Sequence, residues 1–124
     1  MLYNTGIKEL QLKFTFNRKF AQVSIDVLDE DPLIRAYYFE KLLSLKKILI
    51  SEYLPEAEFE EAYELPEGKV ISRVYVQLEN VSIHNRKQWP EAMNFLNEAM
   101  EQMETFFVEY KDVFSWSTVS GNLT

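Results

Sequence analysis

Apolar and polar residues alternate along two consecutive runs near the start of the chain. The runs cover residues 7–16 and 21–27, and a short polar segment at residues 17–19 separates them. The alternating apolar residues are Leu10, Leu12, Phe14 and Phe16, followed by Ala21, Val23, Ile25 and Val27. Because successive side chains of a strand point to opposite faces, this pattern predicts an antiparallel hairpin with one buried face.

The apolar spacing changes to three and four residues between residues 33 and 53. The repeating positions are Ile34, Tyr38, Leu42, Leu45 and Leu49, and further apolar residues widen the stripe. This spacing predicts one long helix that is buried on more than one side. Asp31 and Pro32 suit its first turn, and Pro55 predicts that it ends by Leu54.

A second hairpin is predicted between residues 57 and 83. Ala57, Phe59, Tyr63 and Leu65 alternate with glutamates, which indicates a third strand with an acidic outer face, although residues 56–64 also fit a helix. Pro66 and Gly68 then favour a turn. Residues 69–83 carry apolar side chains at both odd and even positions, which would point to opposite faces of a strand. This pattern predicts a long strand covered on both faces for part of its length.

The longest regular pattern runs from residue 89 to residue 114. Its large apolar residues, spaced four and three apart, are Trp89, Met93, Leu96, Met100, Met103, Phe107, Tyr110 and Phe114. Acidic residues fill many of the intervening positions, so we predict a helix with a buried apolar side and an anionic outer side. The same stripe is also compatible with dimerisation through an exposed flank. Residues 115–124 are predicted to be a flexible tail.

These elements predict an α+β fold in the order ββαββα. Two hairpins form a four-stranded, mainly antiparallel sheet, and two long helices pack on it. With 124 residues, the chain is expected to form one domain over residues 1–114. The two helices should cover the apolar side of the sheet, so Met100, Met103 and Phe107 should be buried.

Composition and charge narrow the function classes. The chain has no cysteine, which excludes disulfides, thiolate catalysis and cysteine metal sites and favours a reducing cytoplasm. No apolar run has the length of a membrane span, and no export signal is visible. A net charge of −7 argues against nucleic-acid binding unless the cations are gathered on one face. Such a gathering is conceivable because residues 7–19 are mainly basic, whereas residues 56–67 and 90–114 are acidic.

Candidate catalytic chemistry has few residues to use. His84 is the only histidine, and the three glycines are too far apart for a phosphate-binding loop. The acids around Asp26 are explained by helix capping more simply than by a cation site. Two acid-x-lysine pairs, Glu67 with Lys69 and Glu109 with Lys111, match half of a metal-dependent nuclease signature, but neither is expected on a central strand. We therefore predict no catalytic residue, no metal site and no cofactor.

Arg73 is the most informative cation. It occupies an alternate position on the fourth strand, so it either projects into solvent or is held against an acidic partner. Together with Lys69, Arg86 and Lys87 it is a candidate for a small anion-binding strip along that strand, and ordinary solvated charges are the simpler alternative.

Several segments together resemble a bacterial family, the domain of unknown function 4268. They are YNTGIK at residues 3–8, YFE at 38–40, ISRVY at 71–75, NVSI at 80–83 and WP at 89–90. The resemblance covers the chain to about residue 114 and carries no catalytic residues over. It implies either a small stand-alone protein or a domain joined to nuclease-like domains of restriction and defence systems. Members usually begin with a further helix and strand, so this chain is expected either to be truncated or to fold with a reduced layer, and a missing helix would leave apolar surface for a partner or a second copy to cover.

These observations favour a small, non-enzymatic cytoplasmic domain that binds a protein or nucleic acid, as an accessory to a defence system. The alternative is a degenerate or metal-dependent nuclease-like domain, which would need Asp26 or another acid close to an acid-x-lysine pair. A protein partner, a homo-oligomer or a nucleic acid is compatible with this reading, the nucleic acid without support from the net charge, and no membrane is expected.

Overall fold

The computed structural model describes residues 5–123 and the side chains of residues 5–114. The elements are β1 (Leu10–Phe16), β2 (Phe20–Val27), α1 (Pro32–Ser44), α2 (Lys46–Glu52), β3 (Glu58–Glu64), β4 (Val70–Glu79) and α3 (Trp89–Leu123), with a short 3-10 helix at Arg86–Gln88.

The strands form a four-stranded antiparallel sheet in the order β1-β2-β4-β3. The two hairpins meet where β2 pairs with β4, so these strands are central. Ile25 shows the register, because it lies opposite Leu12 on β1 and Val74 on β4. This arrangement confirms the α+β class and the sheet built from two hairpins.

The helices cover one face of this sheet. α3 contacts β1, β2 and β4, whereas α1 contacts β2, β3 and β4. Met100, Met103 and Phe107 are all buried in the shared core, which confirms the predicted arrangement. These side chains pack in the core against the even-numbered residues of β1 and the odd-numbered residues of β2.

The apolar stripe of α3 is only partly as predicted. Met93 is 47% exposed, whereas Phe106, which lies outside the four-three pattern, is fully buried. Ala92, Ala99 and Phe106 are spaced seven residues apart and are all buried. The buried side of α3 therefore includes this column from its first turns onward, and Met93 lies at the edge of that side.

The predicted helix over residues 33–53 is interrupted at Leu45, which separates α1 from α2. Leu45 has φ −102° and ψ 5°, and its N–H bonds to the carbonyl oxygens of Leu42 and Leu43. The hydroxyl of Ser44 donates to the carbonyl oxygen of Lys41 at 2.6 Å. Such back-bonding by serine bends helices. The break leaves Leu45 buried together with Leu42 and Leu49.

The second hairpin also departs from simple alternation. Residues 58–64 form a strand, which resolves the open choice between strand and helix, but its register shifts between Glu60 and Tyr63. This bulge places Tyr63 opposite Ile71 and therefore on the face of Arg73, so the expectation that it shares a face with Phe59 is wrong. β4 ends at Glu79 rather than at residue 83, because Asn80 turns the backbone with a φ of 63°.

The last helix is longer than predicted. α3 extends to Leu123, past the predicted helix end at Phe114. The side chains of residues 115–124 lie outside the described part, as do residues 1–4, which include the start of the family-like segment. The flexibility of residues 115–124 stays a prediction. Within the described residues, no helix is both long and apolar enough to cross a bilayer.

Candidate functional site

The face of the sheet opposite the helices, which we call the polar face, contains a buried cluster of polar side chains. Residues 21–27 of β2 are all buried, so this strand is covered on both faces. Gln22 and Asp26 of β2 and Arg73 of β4 lie on the polar face, with exposed fractions of 0%, 1% and 3%. Tyr63 joins them because of the bulge in β3.

Arg73 is held by three different side chains in this cluster. Its Nε donates to Oδ1 of Asp26 at 2.7 Å and its Nη2 donates to Oδ2 at 2.8 Å. Its Nη1 donates to Oε1 of Gln22 at 2.8 Å. The ring of Tyr63 lies over the guanidinium, with 4.4 Å from Cζ to the ring centroid. Such a planar, bidentate ion pair fixes β2 against β4.

The electrostatics keep Arg73 charged despite its burial. Burial is the largest effect and lowers the pKa of Arg73, but the hydrogen bonds and the charge of Asp26 outweigh it, so the pKa is raised above its ordinary value. The pair is thus a neutral unit on the polar face. Asp26 and Gln22 use three of the five N–H donors of Arg73, and its burial leaves little surface for an external anion.

The four cations of the predicted strip are not brought together. Arg73 is held against an acidic partner, which was one of the two alternatives. Lys69 lies in the turn before β4, whereas Arg86 and Lys87 lie in the 3-10 helix past its other end. The ten residues of β4 separate these positions by about 33 Å. Of the four, only Arg86 and Lys87 are neighbours, and anion binding at Lys69 stays a prediction.

A different group of cations is gathered at one end of the sheet. Phe20 at the start of β2 lies opposite Glu79 at the end of β4, so the β1–β2 turn meets the loop before α3. The carbonyl oxygen of Asn17 accepts a hydrogen bond from the N–H of Ile83 at 2.9 Å, which ties the two loops together. We call the cations of these loops, Arg18, Lys19, Arg86 and Lys87, the basic end.

Local hydrogen bonds fix both loops of the basic end. The side-chain oxygen of Asn17 accepts from the N–H groups of Lys19 and Phe20 at 2.8 and 3.0 Å. In the second loop, Nε1 of Trp89 donates to the carbonyl oxygen of Ile83 at 2.7 Å. The guanidinium of Arg86 lies over the Trp89 ring, 5.3 Å from its centroid. The cations therefore stand on defined turns.

Sequence reasoning missed Arg18 and Lys19 as site residues, although a signal was present. Residues 13–25 hold three cations and no acid, and residues 80–90 hold two cations and no acid. The two runs are far apart in the chain. Only the antiparallel pairing of β2 with β4 brings them to the same end of the sheet.

Two concave surfaces adjoin the basic end, and Arg18 and Lys19 line both. The smaller, with a volume of about 480 Å³, lies between the two loops. The larger, which we call the sheet groove, has a volume of about 1140 Å³ and is bounded by the β1–β2 hairpin on one side and the β3–β4 turn on the other. Its charged lining residues are Lys13, Arg18, Lys19, Arg73, Glu64 and Glu67, with His84 at its edge.

The structure gives no support to a metal centre in the described part of the chain. Within that part, no group of three or more histidine, aspartate or glutamate side chains could hold a metal ion. Asp26, the acid named first for the nuclease-like alternative, uses both carboxylate oxygens for Arg73. Glu67 lies in the turn between β3 and β4, and its partner Lys69 precedes β4.

Comparison with known proteins assigns the chain to a family. It belongs to the family described as Domain of unknown function (DUF4268), whose model matches residues 1–111. No curated protein and no solved structure matches the chain. The family resemblance of the sequence is thereby confirmed.

Proposed function

We propose that this chain is a non-catalytic binding module that takes an anionic ligand at the basic end. One observation carries the proposal. The hydrogen bond from the N–H of Ile83 to the carbonyl oxygen of Asn17 joins two acid-free loops, so that four cations lie on two adjoining loops in a chain whose net charge is −7. Clustered cations attract a polyanion locally even when the whole molecule is acidic.

The surrounding charges support the same site. Most acids of β3 and α3 lie away from these two loops, whereas Glu79 adjoins them and Glu91 stands in the first turn of α3, directly after the second loop. The carboxylate of Glu79 accepts a hydrogen bond from Gln77. A polyanion is therefore repelled by most of the molecular surface and attracted to one end, which gives orientation as well as affinity.

The experiment compares two double variants with the same change in net charge. Labelled polyphosphate is titrated with the wild type, with Arg18→Gln/Lys19→Gln, and with Lys46→Gln/Lys47→Gln on α2, whose two lysines are also exposed. We expect the first pair to weaken binding at least tenfold and the second to change it less than threefold. Equal losses in both variants would show that net charge alone matters and would refute the site.

An accessory role in a cytoplasmic defence system is part of this proposal. The lack of cysteine supports the reducing compartment. The resemblance to members that are joined to nuclease-like domains supports the defence association. The nuclease-like alternative has less support, because the carboxylate of Asp26 is already engaged by Arg73.

A further inference from the structure

The polar face carries aromatic rings as well as cations next to the basic end. Lys13 pairs with Ser24 and Phe20 pairs with Glu79, so both side chains point to the same face as Gln22 and Asp26. The bulge brings Tyr63 to this face. The Tyr63 hydroxyl lies 3.4 Å from Nε2 of Gln22, which is two residues from Phe20 on β2. Phe20 and Tyr63 both line the sheet groove.

We propose that the ligand of the basic end is single-stranded nucleic acid, whose bases stack on Phe20 and Tyr63 in the sheet groove. This inference rests on the proposed function and adds the class of ligand to it. Proteins that bind single strands combine a cationic track for the phosphates with aromatic rings for the bases. Both parts occur here on one continuous surface, because Arg18 and Lys19 line the groove that contains the two rings.

The charges of the two groove walls determine which wall the phosphates of the bound nucleic acid face. The β1–β2 hairpin supplies Lys13, Arg18 and Lys19, whereas the opposite wall supplies Glu64 and Glu67. Arg73 at the floor is neutralised by Asp26. Phosphates must therefore follow the hairpin wall, and the bases turn toward the centre of the groove. Tyr63 has one face on Arg73 and makes a T-shaped contact with Tyr75, so a base meets the part of its ring that these two side chains leave open.

A duplex does not satisfy this arrangement. Its base faces are covered by neighbouring base pairs, so the rings of Phe20 and Tyr63 would gain no stacking partner. The basic end alone would still attract its phosphates. The inference therefore predicts a preference for single strands that depends on the aromatic residues and not on the cations.

The test uses fluorescence anisotropy with four labelled probes: an oligothymidine, a duplex of the same length, polyphosphate and polyglutamate. We expect the single strand to bind at least about tenfold more tightly than the duplex. Phe20→Leu keeps an apolar side chain and should weaken single-strand binding about fivefold or more, the loss of one stacked base. Its affinity for polyphosphate should stay the same. Tyr37→Leu, which removes an exposed ring from α1, is the matched control and should change neither affinity.

Charge variants give an independent readout. Lys13→Gln should reduce the slope of log affinity against log salt by about 0.7, because one phosphate contact is lost. Glu67→Gln should tighten single-strand binding, since it removes a negative charge from the facing wall. Thermal unfolding of each variant shows whether the fold is intact.

The outcomes separate this inference from the proposed function. Equal affinity for the single strand and the duplex, or an unchanged affinity in Phe20→Leu, would overturn the inference, while polyphosphate binding that depends on Arg18 and Lys19 would leave the proposed function standing. Tighter binding of polyglutamate than of the oligothymidine would also overturn it, in favour of an acidic peptide. Failure of all the anionic probes to bind would remove the proposed function and the inference together.

Discussion

Asp26 lies directly opposite Arg73 on the neighbouring strand, and both of its carboxylate oxygens accept hydrogen bonds from the same guanidinium. The pair is nearly inaccessible to solvent, with exposed fractions of 1% and 3%. It joins the two hairpins at the centre of the sheet, on the face opposite the described helices α1 and α3. Its role is thus to fix the pairing of β2 with β4, and through that pairing the position of the basic end.

Removal of the carboxylate should be strongly destabilising. Asp26→Ala leaves the charge of Arg73 buried without its partner, and we expect the free energy of unfolding to fall by about 3–5 kcal/mol. Urea denaturation measures this change. The double variant Asp26→Leu/Arg73→Met, which removes both charges, should recover most of the loss. A loss below about 1 kcal/mol in Asp26→Ala would contradict the buried pair.

Asn17 should control the order of the basic end. Asn17→Ala removes the acceptor for the N–H groups of Lys19 and Phe20, and we expect a loss of about 1–2 kcal/mol in the free energy of unfolding. Faster hydrogen exchange at these two amides should accompany it. Asn17→Asp keeps the acceptor oxygen and is the control for the fold. Unchanged exchange at Lys19 and Phe20 in the alanine variant would show that the turn does not need this side chain.

Tyr75 should make the protein sensitive to alkaline pH. Burial, followed by its hydrogen bond to Glu60, raises the pKa of Tyr75 well above its ordinary value of 10.0. The folded state therefore favours the neutral phenol. Stability is complete below pH 10, where the unfolded chain also holds the proton, and is lost as the pH rises toward the folded pKa.

Two measurements check this pH dependence. An ultraviolet titration should show tyrosine ionisation extending above pH 10, and Tyr75→Phe should remove part of the late ionisation. The same variant should flatten the fall in melting temperature above that pH. Tyr38 and Tyr53, whose pKa values burial also raises, contribute to the late ionisation as well. A Tyr75→Phe protein with the same alkaline profile as the wild type would contradict the assignment.

The elements that could be predicted are those with a local signal. Alternation gave the first hairpin, and the spacing of Met100, Met103 and Phe107 gave the buried side of α3. The bulge before Tyr63 could not be predicted, because the glutamates around it read equally well in either register. The break at Leu45 was missed because neither proline nor glycine marks it.

The candidate site was harder to predict for a different reason. Arg73 stood out in the sequence, but its partners Asp26 and Gln22 are 47 and 51 residues away. The pairing of β2 with β4 determines that the side chain of Arg73 binds an acidic partner instead of projecting into solvent. The basic end likewise depends on which strand ends meet, and no local pattern encodes the contact between Asn17 and Ile83. A single sequence therefore supplied the charges of the site and not their assembly.

The most direct test of the basic end is to map binding residue by residue with nuclear magnetic resonance. Polyphosphate is added to the isotope-labelled chain, and the amide shifts are followed. The account predicts that the largest shifts fall at residues 17–20 and 82–88, and that Lys69 and the amides of α2 stay unchanged. Shifts centred on Lys69, or shifts spread evenly over the chain, would contradict it.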